Sequence, residues 1–304
     1  AQCLVGSEMC IRDSSRGGEG VEKEIIANRT NYHSHCSFCD GKASMEEFVE
    51  AAVRQGFTAY GISSHAPLPF STFWTLNRTK VPAYLAEFRR LKKKYKEEIE
   101  LYVGMEIDYL NPEQHPATDY FQHLPLDYRI GSVHLIYTPA GQIIDTDTSP
   151  ENFRKLWKEK FQGDLRRLLE TYFEASMRLV EAGGFDFVGH ANKIFYNAEQ
   201  SCPGITEEDW YKKKLSDFFV FVAEKGLMVE INTKAYIQKG CFFPSIRDWK
   251  ILQELQIPLV VNSDAHRPEL IHAGRAEALQ QLKEKGFKTV MELREGKWQE
   301  VPIV

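Results

Sequence analysis

No run in this 304-residue chain is apolar for long enough to cross a bilayer. An excess of basic charge is also missing. The 38 Lys and Arg residues face 43 Asp and Glu, a net charge of −5, which argues against a nucleic-acid binder held mainly by electrostatics. The short basic runs at Lys92–Lys96 and Lys212–Lys214 read as solvated helix faces. The six cysteines (Cys3, Cys10, Cys36, Cys39, Cys202, Cys241) show no disulfide framework. Cys36 and Cys39 form one C-x-x-C pair with no second pair to complete a zinc site, so both read as loop packing. This cysteine usage suits a reducing cytoplasm. No Pro/Gly/Ser-rich linker divides the middle of the chain, and no internal repeat is visible.

Residues 1–20 stand apart. Cys3–Ser14 resembles a translated sequencing adapter, and Arg16-Gly-Gly-Glu-Gly20 reads as a flexible spacer. The stretch lacks the basic start and the continuous apolar core of a signal peptide. The expectation is a non-native, disordered segment over 1–20 and a single domain over 21–304.

With 43% hydrophobic residues the chain can bury a large core. Short, near-continuously apolar runs end near Tyr32, Ser63, Met105, Val133, Val188, Ile231 and Val261, as parallel strands buried on both faces do. Helical patterns lie between them. Ser44 and Glu47 form a capping box opening a helix that closes at Gly56. Val81–Glu98 places Leu85, Phe88, Leu91 and Tyr95 at three- and four-residue steps. A long stretch from Pro150 to Ala182 is interrupted near Gly163, and Thr206–Lys225, Ile246–Leu255 and Arg275–Lys285 supply the rest. About seven strand–helix units imply a parallel sheet, best closed as one α/β barrel, with an open doubly wound sheet as the alternative. The Pro- and aromatic-rich loop Ala66–Thr79 is long enough to cover the barrel mouth.

Six of the nine histidines fall just after these strands, with two Asp and one Glu placed the same way. They are His33, His35 and Asp40, then His65, Glu106, His134, His190, and finally Asp264 and His266. A barrel gathers the C-terminal ends of its strands at one mouth, so these residues would converge. His33 and His35 alternate on extended chain and can face one ion. Burying so many ionisable groups together is costly without a partner, and divalent metals accept imidazole and carboxylate together. His115, His123 and His272 follow no apolar strand and are expected to be bystanders. Ser63, Ser132, Asn262 and Ser263 are candidates for orienting the ligands.

The motifs His33-x-His35 with Asp40-Gly41, Ser64-His65, Gly104-Met-Glu106, Gly131-Ser-Val-His134, Gly189-His190 and Asp264-Ala-His266 are similar to those of the polymerase and histidinol phosphatase (PHP) superfamily. The histidinol-phosphatase branch matches best, and the resemblance spans Asn31–Arg267. It implies a distorted TIM-like (β/α)7 barrel holding three divalent ions; zinc, iron and manganese all suit the donors. His33, His35, Glu106 and Asp264 would hold the first, Glu106 would bridge to a second with His134 and His190, and Asp40, His65 and His266 would hold the third. The implied activity is hydrolysis of a phosphomonoester, with L-histidinol phosphate as the leading substrate and another small phosphomonoester as the alternative. A barrel amidohydrolase also begins with His-x-His, but it usually lacks a third site like Asp40, His65 and His266. The ligand set makes Glu106, Asp264 and His266 the expected catalytic residues, with His266 a possible proton donor to the leaving group.

Phosphate also calls for cations near the mouth. Lys193, Lys234 and Arg267 follow the strand ends closely enough to supply them. The run Ala191-Asn-Lys-Ile-Phe195 departs from the Asp- and Arg-containing sequence common after the equivalent of His190 in related phosphatases. Phe70, Trp74, Phe195 and Tyr236 are candidates for stacking on a substrate ring. The expected partner is a small phosphorylated molecule, with neither nucleic acid nor membrane.

Overall fold

The computed structural model describes residues 28–304; the segment over 1–20 lies outside the described residues. Seven parallel strands form one sheet: β1 (Thr30–Asn31), β2 (Ala59–Ile62), β3 (Glu100–Asp108), β4 (Tyr128–Ser132), β5 (Phe187–Val188), β6 (Met228–Asn232) and β7 (Leu259–Asn262). They neighbour one another in sequence order. Each crossover between them carries helical turns, mostly α-helix, as parallel pairing demands.

Side chains close much of the seam between the first and last strands. The Tyr32 amide donates to Asn262 Oδ1 at 2.8 Å, and the Ser263 amide donates to Asn31 Oδ1 at 2.8 Å. Just beyond, the His35 amide donates to the Ala265 carbonyl at 2.8 Å. The result is a nearly closed, distorted (β/α)7 barrel, and the open doubly wound alternative is set aside.

The helices form where the apolar spacing puts them. Met45–Arg54 begins with both bonds of the Ser44–Glu47 capping box and buries Phe48, Val49 and Ala52. Val81–Lys94 buries Leu85, Phe88 and Leu91. The long stretch divides into Pro150–Lys160 and Leu165–Ala182 around Gly163, whose φ of 79° breaks the helix. No helix among the described residues is long and apolar enough to span a membrane.

The far end of the barrel is plugged by a hairpin, Thr289–Arg294 with Lys297–Pro302, which the strand–helix pattern did not announce. Tyr32 exchanges hydrogen bonds with Leu293, donating to its carbonyl at 3.1 Å and accepting from its amide at 2.9 Å. Trp298 packs edge-on against Tyr32, Tyr128 and Phe187. The floor is therefore packed with aromatic rings. Each such ring contributes roughly 1.5–3 kcal/mol by leaving water. Beside this floor a small polar group, Glu292 with Asn28 and Arg294, is satisfied by its own hydrogen bonds.

Candidate metal centre

The mouth collects all nine donors, and Glu106 stands at their middle. β3 does not stop at Met105: it pairs on with β4 through Asp108, so Glu106 lies within the strand and Asp108 follows on the same face. Glu106 Oε2 lies 3.0 Å from His33 Nε2, 3.3 Å from His35 Nε2 and 3.1 Å from His65 Nδ1. Its Oε1 lies 2.7 Å from His190 Nε2 and 3.5 Å from His134 Nε2. Asp264 Oδ1 is 3.1 Å from His35 Nε2 and 3.6 Å from His33 Nε2. On the outer side, Asp40 Oδ1 is 3.2 Å from His266 Nε2 and 3.8 Å from His65 Nε2.

Three sets of donor atoms lie close enough to share an ion: His35, Asp40, His65 and His266; His33, His35 and Asp264; and His65, Glu106 and His134. Several donor atoms are buried without a hydrogen-bond partner, among them His35 Nε2, Asp40 Oδ1, His65 Nδ1 and Asp264 Oδ1. Leaving them so would cost about 1–3 kcal/mol each. Divalent cations shared within these sets would satisfy them, so the donors fit a metal centre.

The electrostatics follow from the crowding. Burial opposes ionisation of Glu106, but His33, His65 and His134 overcome it and hold its carboxyl well below the usual range. Burial likewise opposes the charge on Asp264, and Lys234 and His33 more than offset it. Among the imidazoles, burial and the adjacent His35 push His266 down to about 4, so at neutral pH it offers a lone pair and not a proton.

Backbone shape is tuned to the same end. His190 and Asp264 adopt positive φ, at 29° and 50°. Non-glycine residues carry that strain mainly where the surroundings enforce it, often at functional sites. Gly41 follows Asp40 because no side chain fits there: a Cβ would lie 1.9 Å from the His35 carbonyl oxygen. Gly189 is equally confined, with a Cβ falling 2.5 Å from Ser132 Oγ. That hydroxyl donates to Glu106 Oε1 at 2.7 Å. Cys39 Sγ sits 3.6 Å from His35 Nδ1, while Cys36 is buried against Ser64.

A cavity of about 210 Å³ opens over the donors, walled by Phe73, Trp74, Asp145, Asp147, Lys193 and Lys234 beside the ligand candidates. Lys193 Nζ is 2.5 Å from Asp147, and Lys234 Nζ is 3.5 Å from Asp264 Oδ1. Arg267 is not on this wall; its guanidinium is exposed, 3.8 Å from Glu269. Trp74 meets His65 edge-on at 4.9 Å and lies 5.5 Å from His134, so the Ala66–Thr79 loop does reach the mouth. Phe73 beside it is 93% exposed, and Phe70 is also exposed. Phe195 and Tyr236 pack on Phe243 and Phe242 instead. His115 and His123 bond backbone carbonyls, and His272 belongs to none of the donor groups.

Two buried carboxylates escaped the sequence reading. Asp108 Oδ1 lies 2.8 Å from His134 Nδ1 and accepts from the His134 amide at 2.9 Å. Glu230 lies 2.6 Å from His33 Nδ1. A signal existed for each: Asp108 alternates with Glu106, and Glu230 is a charge inside the apolar run Leu227–Ile231.

Fold and donors together define a seven-stranded barrel with a divalent-metal centre at its mouth. The chain belongs to the PHP domain family, whose sequence pattern matches residues 31–234. A Deinococcus radiodurans protein named "Probable histidinol-phosphatase" is 26% identical over 267 residues, covering 85% of this chain and 94% of that one. The Bacillus subtilis protein named histidinol-phosphatase is 24% identical, covering 77% and 92%. A solved Lactococcus lactis histidinol phosphate phosphatase, in complex with zinc, L-histidinol and phosphate, superposes with a TM-score of 0.64 at 18% identity, covering 89% of this chain and 98% of that one.

Proposed function

We propose that this chain is a divalent-metal-dependent phosphomonoester hydrolase that converts L-histidinol phosphate and water to L-histidinol and phosphate. The gathering of nine donors at the barrel mouth, five of them histidines around Glu106, carries this reading. Similarity over most of the chain to relatives named histidinol-phosphatase supports the substrate.

Following the family resemblance, His33, His35, Asp264 and Glu106 would hold one ion, Glu106, His134 and His190 a second, and Asp40, His65 and His266 a third. Divalent cations bound there would activate water and neutralise phosphoryl charge. The chain's own groups do the rest. Glu106, Asp264 and His266 keep their donor atoms unprotonated at neutral pH. Lys193 and Lys234 aim their charges across the cavity and bind the phosphate oxygens. Arg267 would have to turn away from Glu269 to take part, so the phosphate contacts are assigned to the two lysines. Trp74 limits water at the mouth.

Steady-state phosphate release from a panel of phosphomonoesters tests the assignment. L-histidinol phosphate is expected to give the highest kcat/KM. A hundredfold preference for another ester would overturn the substrate and leave the phosphoesterase chemistry standing.

A further inference from the structure

We propose that Glu230 is a positioning residue that fixes His33 in the one tautomer able to bind metal and holds His190 in its strained backbone shape. The inference rests on the metal-site reading above. Glu230 lies on β6, is fully buried, and touches no open space in the cavity. Four groups surround its two oxygens. Oε1 faces His33 Nδ1 at 2.6 Å and accepts from Asn262 Nδ2 at 3.1 Å. Oε2 accepts from the His190 amide at 2.8 Å and from Asn232 Nδ2 at 3.0 Å.

None of the three partners other than the His33 imidazole can turn round. The His190 amide is backbone. Asn262 Oδ1 is committed to the Tyr32 amide. Asn232 Oδ1 accepts from the Lys234 amide, and its Nδ2 also donates to Asp264 Oδ2 at 3.1 Å. Both oxygens of Glu230 must therefore accept, and His33 Nδ1 must carry a hydrogen. Its Nε2 is then the nitrogen left for metal, and it already faces Glu106 Oε2 and Asp264 Oδ1. The second oxygen holds the amide of His190, a residue at a φ of 29°. Through Asn232 the same carboxylate steadies Asp264. Glu230 thus braces ligands from three strand ends without reaching a metal itself.

Glu230→Gln sharpens the test because the two side chains differ only by O and NH2. Wherever the new NH2 sits, it meets two donors. The two donors facing Oε2 cannot respond, whereas on the Oε1 side the His33 imidazole can, by moving its hydrogen from Nδ1 to Nε2; the NH2 therefore settles against His33 and the ligand lone pair is blocked. The expected result is a 10- to 100-fold weaker Zn2+ affinity for folded Glu230→Gln, by competition with a chromophoric chelator, a range typical of such supporting partners. A merely structural role would lower the melting temperature and leave that affinity alone. Unchanged affinity in the variant, with normal Zn2+ binding by the wild type, overturns this proposal only. Failure of the wild type to bind Zn2+ overturns the metal-site reading with it. A second measurement needs no Glu230 variant. In Zn2+-loaded wild type, a long-range 1H–15N spectrum, assigned with His33→Asn, is expected to show the His33 hydrogen on Nδ1. A hydrogen on Nε2 would refute the proposal.

Discussion

Lys193 is one of the two lysines proposed to hold the phosphate. It is tied to Asp147, which with Asp264 holds its ammonium above the usual range against the opposing effect of burial. Lys193→Met keeps the apolar stem and removes the charge. Its kcat/KM for phosphomonoesters is expected to fall about 10- to 100-fold, the weight of one charge-assisted hydrogen bond, with metal content unchanged. A fall of less than about threefold would move phosphate elsewhere in the cavity. Asp248 offers a test away from the metals. Partial burial pushes its carboxyl up to about 6, against the opposing pull of Asn192 and Arg247. The unfolded chain releases that proton near the ordinary carboxylate value of 3.8, whereas the folded chain keeps it to about 6. Stability from this group is therefore complete below pH 3.8 and lost as pH rises through about 6. Asp248→Asn is expected to be more stable than wild type at pH 7 by on the order of 1–2 kcal/mol, with the gap closing towards pH 4. Urea titrations at the two pH values check the sign. At this scale the sequence exposed the nine donors, because each follows or sits late in an apolar strand. It concealed Asp108 and Glu230, whose role depends on which neighbour lies across the barrel.

The elements that carry the donors were legible for a simple reason. Parallel strands buried on both faces leave continuous apolar runs, and helices leave a 3.6-residue period. Hence the capping box at Ser44, the break at Gly163 and the seven strand positions all match the observed bounds to within a few residues. The two antiparallel hairpins, Leu135–Tyr137 with Ile143–Asp145 and the C-terminal pair, were not legible. The first has strands of only three residues, and those of the second mix polar and apolar residues. The first hairpin leads Asp145 and Asp147 to the cavity wall, so the outer ring of the site was hidden with it. The Asp40 turn shows how tightly an element can be bound to function. Gly41→Ala would drive a methyl into the His35 carbonyl. The expected cost is roughly 1–3 kcal/mol, as for other overpacked sites. Metal analysis should also show fewer ions per chain, since Asp40 and His35 must shift. A stable variant with full metal content would mean that the turn adapts without moving its ligands.

For the molecule as a whole, the barrel divides its labour between two ends. The aromatic floor under the hairpin supplies stability, and the mouth concentrates charge that is costly without cations. Metal should therefore support both fold and activity, as any ligand bound only by the folded state does. The most direct test strips the protein with a chelator, restores Zn2+ or Mn2+ stepwise, and follows ions per chain beside phosphate release from L-histidinol phosphate. The account predicts no release from the stripped protein and recovery that completes as the count approaches about three ions, the number proposed for this centre. Release that continues undiminished after stripping, or full recovery with a single ion, would contradict it.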